Sequence, residues 1–91
     1  MKILLLFVVV FAAAVNSERC VEYGIEYSGY DIETIIVPHW SECASRCNAH
    51  RSCSYWTWGQ ENDDCYLKTS NAGQRRRCWA MSGSHNCLSE C

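Results

Sequence analysis

The chain has 91 residues, with eight Cys, one Pro, five Gly, and ten acidic against eight basic side chains. That length holds one small domain and excludes a two-domain enzyme, a multi-repeat solenoid and a multi-span membrane protein. The formal net charge of -2 excludes a general phosphate-backbone binder, which carries a basic excess, so no nucleic-acid partner is expected.

The first element is a targeting segment. Met1-Lys2 supplies a positive start, residues 3–14 are uninterruptedly apolar, and small and polar residues follow. This is the layout of a secretory signal peptide, and the run falls short of the roughly 20 apolar residues that span a bilayer. Cleavage after Ser17 makes residues 1–17 the signal and 18–91 the mature domain; cleavage after Ala14 is the alternative. The implied address is extracellular, with no membrane span after cleavage. Both Phe leave with the signal, while all eight Cys stay. The aliphatic residues left are few, even with four Trp and five Tyr beside them. A core this thin supplies only about 3–5 kcal/mol of net stability, so disulfides are expected as staples, each contributing about 2–4 kcal/mol. No Asn has Ser or Thr two residues on, so N-glycosylation is not expected.

Along the mature chain, residues 21–27 alternate loosely, with Val21, Tyr23, Ile25 and Tyr27 on one face, and read as a strand. Ser28-Gly29-Tyr30-Asp31 is turn chemistry, and the β-branched residues 32–37 form a second strand ended by Pro38. A helix is expected over 40–49, which puts Cys43 and Cys47 on one helical face. Residues 54–58 form an aromatic strand, 59–63 a polar turn, and 64–69 the returning strand of a hairpin. Residues 70–77 read as a polar loop, 78–82 as a last strand and Gly83 as a turn. One helix packed on a small antiparallel sheet gives the α+β class.

The eight cysteines allow about a hundred connectivities. Cys47, near the helix end, can close a local loop with Cys53, and Cys43, one turn earlier, can reach the hairpin strand at Cys65. A cystine-stabilised αβ toxin scaffold needs a C-x-C strand to meet its C-x3-C helix, and no C-x-C occurs.

Several motifs together resemble one family. They are Gly29-Tyr30-Asp31-Ile32, then Trp40-Ser41-Glu42-Cys43-Ala44-Ser45-Arg46-Cys47, then Cys53-Ser54-Tyr55-Trp56-Thr57-Trp58. Cys65-Tyr66-Leu67-Lys68 and Ala80-Met81-Ser82-Gly83 follow in the same order. This series resembles the PAN/apple domain over nearly the whole mature chain. The resemblance implies an antiparallel sheet of about five strands cradling one helix. It also implies bridges Cys43–Cys65 and Cys47–Cys53, with Cys20 paired to Cys87 or Cys91. Cys78 and the remaining terminal cysteine exceed the family's six and are expected to form a fourth bridge. The family serves as a binding unit in clotting zymogens, growth-factor N-terminal regions and parasite adhesins.

No enzyme chemistry is expected. Residues 47–53 superficially resemble the helix of a secreted phospholipase A2, but Arg51 stands where an Asp is needed and no Gly-rich calcium loop precedes His50. No G-x-S-x-G elbow is present. Cys43, Cys47, His50 and Cys53 have zinc-ligand chemistry, but an oxidising compartment and an even Cys count favour disulfides, so no metal or cofactor is expected. Arg75, Arg76 and Arg77 are the candidate ligand-binding residues, since guanidinium forks suit the anionic oxygens of sulfated or sialylated glycans. A processing site and a merely solvated charged loop are the other readings of that run. Trp56 and Trp58 share one side of their strand: against the helix they are core, and on the open face they are a stacking platform. The expected function is a secreted, non-catalytic module that recognises an extracellular glycan or protein. The alternative is a secreted toxin-like or inhibitory effector acting on a host or prey protein.

Overall fold

The computed structural model describes residues 20–88. The expected signal peptide, both cleavage points and Cys91 lie outside the described residues. Five strands and one helix follow in the order β1 (Glu22–Tyr27), β2 (Asp31–Ile36), α1 (Trp40–Ala49), β3 (Tyr55–Gly59), β4 (Asp64–Lys68) and β5 (Gln74–Ser84). The strands form one sheet in the order β1-β5-β3-β4-β2, antiparallel at every pairing. Among the described residues no helix is long and apolar enough to cross a membrane.

The helix takes its expected bounds, and its capping explains why. His39 is extended at φ -153, and its Nδ1 accepts the Ser41 N–H at 3.1 Å. Pro38 before it cannot continue a strand ladder. Trp40, Cys43, Ala44 and Cys47 make the buried stripe, at the spacing that lines one side of a helix. That stripe lies on Trp56, Trp58, Cys65 and Leu67, with Met81 and Ile35 packed at the margin. The Trp40 and Trp56 rings stack with centroids 5.7 Å apart. The two core indoles of β3 also find acceptors for their N–H groups: Trp56 donates to the Ser84 carbonyl at 2.9 Å and Trp58 to that of Val37 at 3.0 Å. Trp56 and Trp58 are therefore core.

Three disulfides fix this arrangement: Cys43–Cys65 ties helix to sheet, Cys47–Cys53 closes the loop after the helix, and Cys20–Cys87 joins the two ends of the domain. Cys20 thus pairs with Cys87. Cys78 is exposed and bridged to no described cysteine.

Two expectations need correction. The segment 70–77 is not all loop, because β5 starts at Gln74 and runs through Gly83 to Ser84. Its N-terminal part pairs with β1 (Gln74 with Tyr27, Arg75 with Glu26), and its C-terminal part pairs with β3. The strand bonding supplied by β1 makes a ladder of residues whose polarity alone reads as loop. Secondly, the alternation of β1 breaks at Gly24, which has φ 77. The pairing steps from Tyr23 opposite Met81 to Ile25 opposite Arg76, so β5 carries extra residues there as a bulge. Tyr27 is buried, while Tyr23 is exposed.

Candidate functional site

With the helix sealing one face of the sheet, the side chains left for recognition lie on the other face and along β5. On β3 the positions alternate to the core tryptophans are Tyr55 and Thr57, of which only Tyr55 is partly exposed. Thr57 and Ser82 are fully buried, and the backbone of β1 lies within hydrogen-bond reach of both hydroxyls. The Tyr27 N–H donates to Thr57 Oγ1 at 3.1 Å, and Ser82 Oγ donates to the Ile25 carbonyl at 2.6 Å. Tyr27 meets Tyr55 edge-to-face at 5.8 Å and donates its hydroxyl to Glu22 at 2.5 Å. Burial, then the hydrogen bond to the Glu22 carboxylate, push the Tyr27 phenol well above its usual range.

Lys68 lies on the same face, its side chain only 3% exposed. Its Nζ is paired with the Asp31 carboxylate, donates to the Gly29 carbonyl at 3.0 Å, and sits 5.4 Å from the centre of the Tyr66 ring. The Asp of the Gly29–Ile32 motif and the Lys of the Cys65–Lys68 motif therefore meet in space. Both letters are visible in the sequence, but not their contact.

Two recesses open beside this face. The first, of about 250 Å³, is lined by Gly59, Glu61, Asn62, Asp64, Tyr66 and Trp79. The β5 bulge places Trp79 over Gly59: a Cβ on that glycine would stand 3.3 Å from the indole ring. The Gln60 N–H donates to the Trp79 carbonyl at 2.9 Å and fixes the backbone there. Tyr66 donates its hydroxyl to Asp64 at 3.2 Å, and burial, then that carboxylate, raise its phenol above the ordinary value. The second recess, of about 490 Å³, is lined by Tyr23, Gly24, Ile25, Arg76, Arg77 and Cys78.

The three candidate arginines do not form one patch. They alternate along β5, and Glu26 of β1 stands directly opposite Arg75. Arg75 Nε lies 3.0 Å from the Glu26 carboxylate and Arg77 Nε 3.8 Å from it. Arg76, paired with Ile25, lines the second recess and makes no ion pair among the described residues. The signal that sequence reasoning missed was Glu26 of β1, in register with the basic run. His50, at the helix C-terminus, accepts the Ser52 N–H on Nδ1 at 3.0 Å and places Nε2 3.4 Å from Glu33. Cys43, Cys47 and Cys53 are spent in disulfides, so the zinc reading has no thiolates to draw on.

A small α+β domain braced by disulfides, with a covalently pinned helix on one face of its sheet and polar aromatics on the other, is the class of protein that this fold defines. The PAN domain model matches residues 16–87, and the chain belongs to that family. Over 51 residues, 56% of this chain, it is 33% identical to micronemal protein 4 of Toxoplasma gondii; the match spans 9% of that protein's length. Among solved structures it is similar to TgMIC4-A5 in the TgMIC4-A5/lacto-N-biose complex, with TM-score 0.68 and 28% identity over 75% of this chain and 99% of that one. The two N-terminal apple domains of Toxoplasma gondii microneme protein 4 match at TM-score 0.64 and 25% identity, over 70% of this chain and 43% of that one. A PAN module from Eimeria tenella shares the fold at TM-score 0.58 and 20% identity, over 87% of this chain and 93% of that one.

Proposed function

We propose that the chain is a secreted, non-catalytic binding module that recognises an extracellular glycan. The observation that carries this reading is the likeness to TgMIC4-A5, which spans 99% of a domain solved with lacto-N-biose. Three disulfides among the described residues suit an oxidising compartment, and the apolar run of residues 3–14 has the layout of a signal that would deliver the chain there. The charge arrangement favours a neutral sugar over an anionic one. Glu26 already engages two of the three arginines, which leaves Arg76 as the member of the candidate trio best placed to meet an anion.

A glycan array probed with the oxidised, secreted protein tests the reading, with a reduced and alkylated sample as control. Fold-dependent binding to a glycan class is the expected result. A blank array overturns it and moves the effector alternative, with a protein target, to first place.

A further inference from the structure

The recess under Trp79 contains an indole N–H and two rim side chains, Glu61 and Asn62, that make no hydrogen bond within the described fold. Trp56 and Trp58 donate their indole N–H groups to internal carbonyls, whereas the half-buried Trp79 makes no side-chain hydrogen bond among the described residues. Asn62 and Glu61 are exposed at the rim, and they too make no side-chain hydrogen bond among those residues. Resting on the glycan reading above, we propose that this recess is the sugar site and that it takes one uncharged terminal pyranose.

Three physical features argue for that ligand. The apolar C–H face of a pyranose stacks on an aromatic ring, and here Trp79 and Tyr66 both line one cavity. Sugar hydroxyls need acceptors and donors at fixed positions, and Asp64, Asn62 and Glu61 supply carboxylate oxygens and an amide. At about 250 Å³ the recess lies below the roughly 300–1,000 Å³ of pockets for drug-sized ligands, which suits a single ring.

The rim is also pre-organised. Asp63 sits in the left-handed region at φ 61, its N–H donates to the Gly59 carbonyl at 2.9 Å, and its carbonyl accepts the Val37 N–H at 3.0 Å. Ordering the turn therefore costs little on binding. The same rim sets the charge preference. Glu61 and Asp64 line the recess and no cation does, so a carboxylate or sulfate on the terminal sugar meets like charge there.

The test is titration of the oxidised protein, expressed from the full chain, with lacto-N-biose and with its sialylated counterpart. Trp79→Ala and Asp64→Asn are expected to weaken lacto-N-biose binding by about tenfold or more, the loss typical of a buried aromatic anchor. Arg51→Ala, on an exposed turn after the helix, is expected to leave it within about twofold. The sialylated probe is expected to bind more weakly, with the gap narrowing as salt is added. The indole N–H resonance of Trp79 in the unsubstituted protein reports on the site without any substitution, and it is expected to shift on titration. Retained affinity in both recess variants with a stationary Trp79 resonance overturns the site and leaves the glycan reading standing. So does a loss confined to Arg76→Ala. Absence of binding to any glycan by the unsubstituted protein overturns the reading itself, and the site with it.

Discussion

The ion pair between the buried Lys68 and the partly exposed Asp31 predicts an asymmetric response to removing its two halves. The Lys68 side chain is 3% exposed and that of Asp31 is 45% exposed. Asp31→Ala strands an ammonium that retains the Gly29 carbonyl and the face of the Tyr66 ring but no counter-charge among the described residues. Removing one partner of a fully buried pair costs about 3–5 kcal/mol. Water can reach the space left on the open side of Asp31, which brings the expected cost down to about 2–3 kcal/mol. Lys68→Met behaves differently, because it keeps the apolar stem and removes the charge that needed a partner. Asp31 then turns to solvent, and the main loss is the donor to Gly29, about 1 kcal/mol. The double variant should resemble Lys68→Met alone. Urea unfolding of the oxidised proteins reads all three, with unchanged m-values certifying a common denatured state. A Lys68→Met variant as unstable as Asp31→Ala, or both within about 0.5 kcal/mol of the parent, refutes the reasoning. Either outcome would mean that the ammonium is not desolvated as its geometry implies.

Other consequences follow from the same structure. Gly83→Ala places a Cβ 2.8 Å from Cζ2 of the fully buried Trp56, and the forced repacking should cost about 1–3 kcal/mol in a thermal melt. Replacing both cysteines of the Cys47–Cys53 bridge, which spans 6 residues, should cost about 2 kcal/mol in urea. The same change at Cys43–Cys65, which spans 22 residues and is fully buried, should cost about 3–4 kcal/mol. The Tyr27 phenol lies above its ordinary 10.0 in the folded state, so the unfolded chain loses that proton first as pH rises. Stability should therefore be intact below about pH 10 and fall above it, and Tyr27→Phe should flatten that fall in alkaline urea titrations.

What the sequence made legible was local. Pro38, the absence of Gly or Pro between 40 and 49, and the four-residue spacing of Cys43 and Cys47 identify the helix, and it takes those bounds. The resemblance carried the helix-to-sheet bridge and the local bridge, and both are present. What escaped was register. Arg75, Arg76 and Arg77 form a polar run that looks like loop, and only the pairing of Arg75 with Glu26, 49 residues away, turns it into strand. Gly24 is silent in a sequence, since nothing local says that its positive φ will break the alternation of β1 and shift the partner strand. Nothing in the sequence assigns Trp79 a role, because the bulge that aims it over Gly59 is a property of two strands together.

The distribution of these features lets so small a domain combine a rigid frame with a surface whose side chains carry little of the folding energy. The helix–sheet bridge and the stacked Trp40 and Trp56 lie on the helix side, where nearly every side chain is buried. The opposite face is held by a different chemistry: the Tyr27 N–H of β1 donates to Thr57, Ser82 donates to the Ile25 carbonyl of β1, and Lys68 pairs with Asp31. A disulfide constrains the chain largely regardless of what the far face displays, because it acts mainly by restricting the unfolded state. Substitutions on the Trp79 rim thus cost little in folding, since Glu61 and Asn62 are exposed and their side chains make no hydrogen bond within the described fold. Residues that can change without loss of stability are free to be tuned for a ligand. On this argument Asn62→Ala should leave the urea midpoint of the protein unchanged while weakening any sugar that contacts the rim. A loss of stability would show that the rim belongs to the scaffold instead.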